Sequence, residues 1–363
     1  MGLIPVNQAR GLFTQDLIKV YKQLPKPTDF LKKFFPEKTS NTRYLYWAVR
    51  REGEPVAVDV VRGTEGNRNT FSIETDKIVD PPYFNENFDI TQTDLYYRAF
   101  SSDMVDESVM TDYMTWVLEH MQSITNKIER AYELQRITCL LTGVITLKDG
   151  SVIDFKRNAL SIVDNGGASY WDTNATTIDP IAILDQGCTY LRTAGKASGG
   201  NFNVIMGEKA LEAFLNTTAV KSRGRDFYMK LSDLQMPNLD TASGAAYHGR
   251  ISVGSYTCDI WTYPQYYDAI GQGPVGNSVA YMNPKQIIVI PQAPDFIMGY
   301  AAVPILPMST TGRMSLPTLT KGAYTPYDRI NQMNDSWVAG VKSAGIALPT
   351  AIDQIFTATV TAA

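Results

Sequence analysis

The chain is poor in the residues that most often perform chemistry. Of 363 residues, two are histidine and three are cysteine. His120 and His248 have no Cys, His, Asp or Glu at ligand spacing, so structural roles are expected for both. Cys139, Cys188 and Cys258 are odd in number and widely spaced, which gives neither a disulfide framework nor a zinc-type pattern. Buried reduced thiols in a reducing compartment are the expectation. No G-x-S-x-G, H-E-x-x-H or G-K-[ST] motif occurs, and nothing in the sequence supports a scattered triad. Met1–Arg10 lacks the basic-then-apolar layout of a signal peptide, and no apolar run reaches about 18 residues. An intracellular product without a membrane helix is therefore expected. Charge is sparse at 19%, with 33 Lys plus Arg against 37 Asp plus Glu, a net of -4. A protein that grips nucleic acid by neutralising phosphates would be basic, at least locally, so contact with nucleic acid is expected to be weak and patchy.

Apolar material is abundant. Hydrophobic residues make up 44% of the chain, with 20 Tyr and 14 Phe, enough for a sizeable core and for large packed surfaces. Residues 6–24 carry a short helical pattern that Pro25 and Pro27 end. Phe30, Leu31, Phe34 and Phe35 then crowd ahead of Pro36. Such a cluster is costly to leave in water and is expected to dock, on its own domain or on a neighbour. From Tyr44 to Ile73 the pattern turns to strand: Tyr44–Val49, then alternating Val56, Val58 and Val60, a polar tip at Arg62–Asn69, and a return at Thr70. This long hairpin-like excursion should lean on something else, since an isolated hairpin is marginal in water.

Residues 101–142 contain neither Gly nor Pro, and Gly143 then supplies a terminator. Met110, Met114, Val117, Met121, Ile124, Ile128, Ala131 and Leu134 recur at steps of three or four. Acidic residues fill the first half and Lys127, Arg130 and Arg136 the second, which complements the helix dipole. The spacing predicts one helix roughly 55–60 Å long. Beyond it, Val144–Phe155 reads as strand–turn–strand. Pro180–Ala194 reads as a helix capped by Asp179, Phe202–Met206 as a strand and Glu208–Leu215 as a helix. Lys221, Arg223 and Arg225 lie in a polar stretch read as a basic loop: a solvated loop, a subunit contact or a nucleic-acid contact. Strands then dominate at 249–255, 256–263, 279–282, 286–290, 337–341 and 355–360. The mixture argues α+β without a repeating βαβ unit.

Gly271-Gln272-Gly273-Pro274-Val275-Gly276 matches G-x-G-x-x-G. A phosphate-binding version needs a helix opening from it. Here a strand follows, so a hairpin loop is the expected reading.

Taken in order, these features resemble the major capsid proteins of lambda-like tailed phages, the phage capsid protein E family, whose fold is of the Hong Kong 97 type. The likeness runs from Phe34-Phe35 and Arg62-Gly63 through the long helix and Leu140-Leu141-Thr142-Gly143. It continues with Val152–Phe155, Asn165-Gly166-Gly167, Trp171, Asp179-Pro180, Ala219-Val220-Lys221, Tyr247-His248-Gly249, Asp259–Tyr263 and Tyr324-Thr325-Pro326. The resemblance implies an N-terminal arm (1–40), an extended E-loop (41–93), a peripheral domain (94–178 and 305–363) on a spine helix at about 103–142, and an axial domain (179–304). It implies a homo-oligomer, with pentamers and hexamers tiling a shell. A portal, a decoration protein, non-specific contact with packaged double-stranded DNA, no cofactor and no membrane go with it. Arm and E-loop use all the residues before the spine helix, so scaffolding is expected from a separate protein.

The expected inter-subunit contacts are Phe30, Phe34 and Phe35; Arg62, Gly63, Glu65 and Arg68 at the E-loop tip; Lys221, Arg223 and Arg225; and Gly271 and Gly273. The virion capsid, assembled in the host cytoplasm, is the expected location, and no enzyme activity is expected. The rivals are an encapsulin-like compartment of the same fold, a tail tube protein, and an enzyme that binds a nucleotide at Gly271–Gly276.

Overall fold

The computed structural model describes residues 30–49, 75–91, 107–148, 150–225, 238–240, 244–268, 278–305, 318–331 and 336–362. A 3-10 turn at Phe30–Phe34 leads into β1 (Glu37–Thr39), β2 (Leu45–Val49), β3 (Thr75–Val79) and β4 (Tyr83–Ile90). The long helix α1 (Glu107–Thr142) follows, then β5 (Val144–Thr146), β6 (Val152–Asp154) and β7 (Ile162–Asp164). Next come α2 (Pro180–Thr193), β8 (Asn201–Met206), α3 (Glu208–Asn216), α4 (Thr218–Arg225), β9 (Asn238–Asp240), β10 (Ala245–Val253) and β11 (Tyr256–Thr262). The remaining strands are β12 (Tyr266–Asp268), β13 (Ser278–Ala280), β14 (Gln286–Pro291), β15 (Ile297–Tyr300), β16 (Val303–Ile305), β17 (Thr318–Thr320), β18 (Thr325–Asn331), β19 (Ser336–Leu348) and β20 (Phe356–Thr359).

Helix α1 is continuous over 36 residues, about 54 Å at the standard rise. It ends at Gly143, whose φ of 71° is the left-handed value a helix C-terminus needs. A Cβ there would also stand 2.9 Å from Arg157 Cβ. Helix α2 starts as its sequence says: Asp179 Oδ1 accepts from the Ile181 N–H at 3.1 Å, and proline fills the first turn. Replacing Asp179 with Ala should cost about 1 kcal/mol, read as a lowered denaturation midpoint of the unassembled chain. The half-buried Asp179–Arg223 pair, with both side chains still reached by water, adds little to that figure.

Two cores result. In the first, α1 packs against β19, a 13-residue strand. Its Trp337–Lys342 stretch pairs with β18 on one side and β4 on the other, and Gly345–Leu348 pairs with β15, which pairs in parallel with β1. In the second, α2, α3 and α4 bury one face of a seven-stranded sheet ordered β7-β20-β14-β8-β11-β10-β9. That sheet mixes parallel pairs (β8–β11, β20–β7) with antiparallel ones, as an α+β fold does.

Strand pairing crosses the domain limits expected from the sequence. Residues 83–90, placed with the E-loop, form a body strand beside β19. Trp171, β7 and β20, placed with the peripheral part, complete the second core and its sheet. Strand β15, placed with the axial part, belongs to the β19 sheet. The 221–225 stretch read as a loop is helical, because Val220 is fully buried in the second core and packing overrides weak propensity.

Candidate assembly surfaces

The N-terminal aromatics fasten the chain to itself. Phe30 stacks on Tyr263 with centroids 5.5 Å apart, lies against Trp261 at 5.3 Å and meets Phe34 edge-on at 5.6 Å. Phe35 stacks on Phe296 at 5.1 Å. The Lys33 ammonium stands 4.1, 4.7 and 3.8 Å from the ring centres of Phe30, Phe34 and Trp261, a cation–π arrangement that joins this turn to β11. Phe30, Phe34 and Phe35 are 1%, 4% and 0% exposed, so their side chains have no surface to offer a neighbour. Burying some 150–250 Å² per ring in the chain's own core satisfies these three locally.

Beneath the turn lies a buried charge cluster. The Leu31 N–H donates to Glu133 Oε1 at 3.1 Å and Lys32 Nζ to Glu129 Oε1 at 2.9 Å. Arg136 Nη1 donates to Glu133 Oε2 at 2.9 Å, and Nη2 sits 3.6 Å from Glu129 Oε2. Burial, the largest influence on Lys32, disfavours its charged form, yet Glu129 and Glu37 outweigh burial and hold its pKa above the ordinary value. Arg136 behaves in the same way between Glu133 and Glu129. Next to this cluster the Tyr132 and Ser343 hydroxyls hydrogen-bond, tying α1 to β19.

A second hub holds the far end of α1. Arg157 Nη1 donates to the Leu140 and Leu141 carbonyls at 2.7 and 3.1 Å, and Nε to Ser161 Oγ at 2.7 Å. Its Nη2 reaches the Ser161 and Ile355 carbonyls, both at 3.1 Å, and Thr357 Oγ1 at 2.7 Å. Burial lowers its pKa to about 10, which leaves it charged at neutral pH, where it also complements the negative helix end. Nothing in the spacing around Arg157 announced this role.

The hairpin stem β2–β3 is two-faced. Leu45 and Val79 are paired across the strands and buried. Leu45 packs on β15 at Gly299, where a Cβ would stand 2.9 Å from Leu45 Cδ1. The adjacent pair, Tyr46 and Ile78, points the other way and is 76% and 63% exposed. A cross-strand apolar pair left in water is a docking signal of a kind that scattered surface apolars are not. A weaker counterpart is Pro304 opposite Leu319 on β16–β17, both exposed. Arg62, Gly63, Glu65 and Arg68 at the expected tip lie outside the described residues, as do Gly271 and Gly273.

Lys221 and Arg223 project from α4, where Lys221 Nζ reaches Asn216 Oδ1 at 3.4 Å and Arg223 Nη2 reaches Asp179 Oδ2 at 2.7 Å. Arg225 closes that helix. Gly271–Gly276 lies outside the described residues; its flanking strands β12 and β13 pair antiparallel, so a strand follows from Ser278 where a phosphate site would place a helix. His120 sits 4.3 Å from the Trp116 ring and 5.4 Å from Phe88, and His248 Nε2 is hydrogen-bonded with Thr262 Oγ1 at 2.8 Å. Among the described residues no three His, Cys, Asp or Glu side chains converge as metal ligands, and no described helix is long and apolar enough to cross a membrane.

A mixed fold in which a long helix backs one sheet, a second sheet is packed by short helices, and a hairpin stem projects an apolar pair is that of a Hong Kong 97-type shell subunit. The crystal structure of a prophage capsid protein from E. coli CFT073 shares it, with a TM-score of 0.64 at 15% identity, covering 96% of this chain and 99% of that one. A phage-related protein from Bordetella bronchiseptica RB50 aligns with a TM-score of 0.48 at 11% identity (95% and 96% covered). The capsid of cyanophage P-SCSP1u aligns with a TM-score of 0.48 at 8% identity (94% and 90% covered). Curated protein sequences contain no match. The profile of phage major capsid protein E matches residues 13–321, and the chain belongs to that family. It is a head shell protein of a tailed phage.

Proposed function

We propose that this chain builds its shell through the β2–β3 hairpin, which lays the Tyr46–Ile78 face on an adjacent subunit, while α1 and β19 form the rigid body that carries it. The observation behind this reading is the exposed cross-strand pair on a stem whose opposite face is anchored in the core. The contact is heterologous, since a hairpin of one copy meets the body of the next, and such contacts close into rings. Rings of five and six, a separate scaffold, a portal and assembly in the host cytoplasm fit this reading. The work is mechanical and not catalytic. A net charge of -4 suits a wall that confines DNA without gripping it.

The test is expression of the chain, with and without a scaffold, and negative-stain microscopy. Closed shells are expected; rods or a monodisperse monomer at every concentration would overturn the proposal. Tyr46→Ser combined with Ile78→Ser should lower shell yield at least tenfold while leaving the denaturation midpoint of the unassembled chain within error. Unchanged yield would remove the hairpin from the interface.

A further inference from the structure

Three cysteines far apart in sequence read as three isolated thiols, but the fold brings two together. Cys188 on the inner face of α2 and Cys258 on β11 place their sulfurs 3.5 Å apart, both fully buried in the second core. The approach is enforced by the packing. One residue earlier, a Cβ at Gly187 would stand 2.7 Å from the Phe356 ring, and a Cβ at Gly254, in the β10–β11 turn, would stand 2.8 Å from Asp185 of the same helix. The helix therefore lies close on the sheet where the two thiols face each other.

We propose that Cys188 and Cys258 form an oxidative modification site that closes to an intrachain disulfide when the protein meets a peroxide outside the reducing cell. The first thiol is oxidised by hydrogen peroxide to a sulfenic acid, releasing one water. The second thiol's sulfur attacks that sulfur, expelling hydroxide, which takes up the thiol proton and leaves as a second water. In total two thiols and one peroxide give one disulfide and two waters; the thiols lose two electrons and the peroxide gains them. Contact with Cys188, with burial second, raises the Cys258 pKa and keeps the thiol form dominant, so the pair is inert in a reducing cytoplasm and closes slowly. Cys139, buried in the first core, is the internal control.

Purified protein, assembled or not, is treated with hydrogen peroxide or with dithiothreitol, then denatured in N-ethylmaleimide and mapped by mass spectrometry. The reduced sample should carry three labels. The oxidised sample should carry one, on Cys139, with the peptides containing residues 188 and 258 linked within one chain. Its melting temperature should rise by about 5 °C over the reduced sample, because the bridge closes a long loop. After oxidation Cys188→Ala should carry two labels and lose the thermal shift. Three labels in the oxidised wild type, sulfinic acid at either position without a linked peptide, or linkage between chains would each overturn the proposal. If the variant does not fold, the wild-type comparison alone decides. The readout does not require a shell, so its failure is separable from failure of the assembly reading.

Discussion

Replacing Arg136 with Met should destabilise the unassembled chain by about 3–5 kcal/mol, the cost of breaking a buried ion pair from one side. Arg136 is 0% exposed and Glu129 and Glu133 are each 1% exposed, so the carboxylates cannot turn to water when their cation is removed. Lys32 still faces Glu129, but among the described residues Glu133 keeps only the Leu31 N–H. Equilibrium denaturation in urea checks this as a lowered midpoint at unchanged slope. Substituting Glu129 and Glu133 with Gln in the same chain should recover part of the loss, since neutral amides cost less to bury unpaired than carboxylates. An Arg136→Met chain as stable as wild type would mean that water reaches the cluster and screens it.

Arg157→Lys should cost nearly as much as Arg157→Met, about 3 kcal/mol or more, with charged hydrogen bonds worth roughly 1.5–3 kcal/mol each. The guanidinium donates to six acceptors on three sides, from the end of α1, the turn at Ser161 and β20 with its approach. An ammonium has three donors at one point and cannot span them. Thermal denaturation of both variants beside wild type is the measurement. Near-complete rescue by Lys would show that charge alone, and not the planar fork, holds the joint.

Much of this architecture was legible because local signals agreed with the fold. Helix α1 followed from the absence of Gly and Pro up to Gly143, and α2 from Asp179-Pro180. Strands β8, β10, β11, β14 and β20 followed from dense apolar or β-branched runs. The full length of β19 did not. Its second half, Ser343-Ala344-Gly345-Ile346-Ala347-Leu348, is small and buried on both faces, so it shows no alternation. A Cβ at Gly345 would meet the Tyr300 ring at 2.8 Å, and that requirement lies in a partner more than 40 positions away. Strand β4 was hidden by Asn85, Glu86 and Asn87, poor strand formers held by β19. Among the expected contact residues, the Phe30–Phe35 cluster announced that it would dock but could not say on what. The exposed pair Tyr46 and Ile78 became visible only once the β2–β3 register was fixed.

Strand β20 lies between β7 and β14, with Phe356, Ala358 and Val360 fully buried in the second core. Its neighbour β7 is translated nearly 200 residues earlier, so the central sheet stays split until residue 360 has left the ribosome. The edge strand β7 therefore has its sheet partner only once residues 356–359 have been made, so the seven-stranded sheet closes late in synthesis.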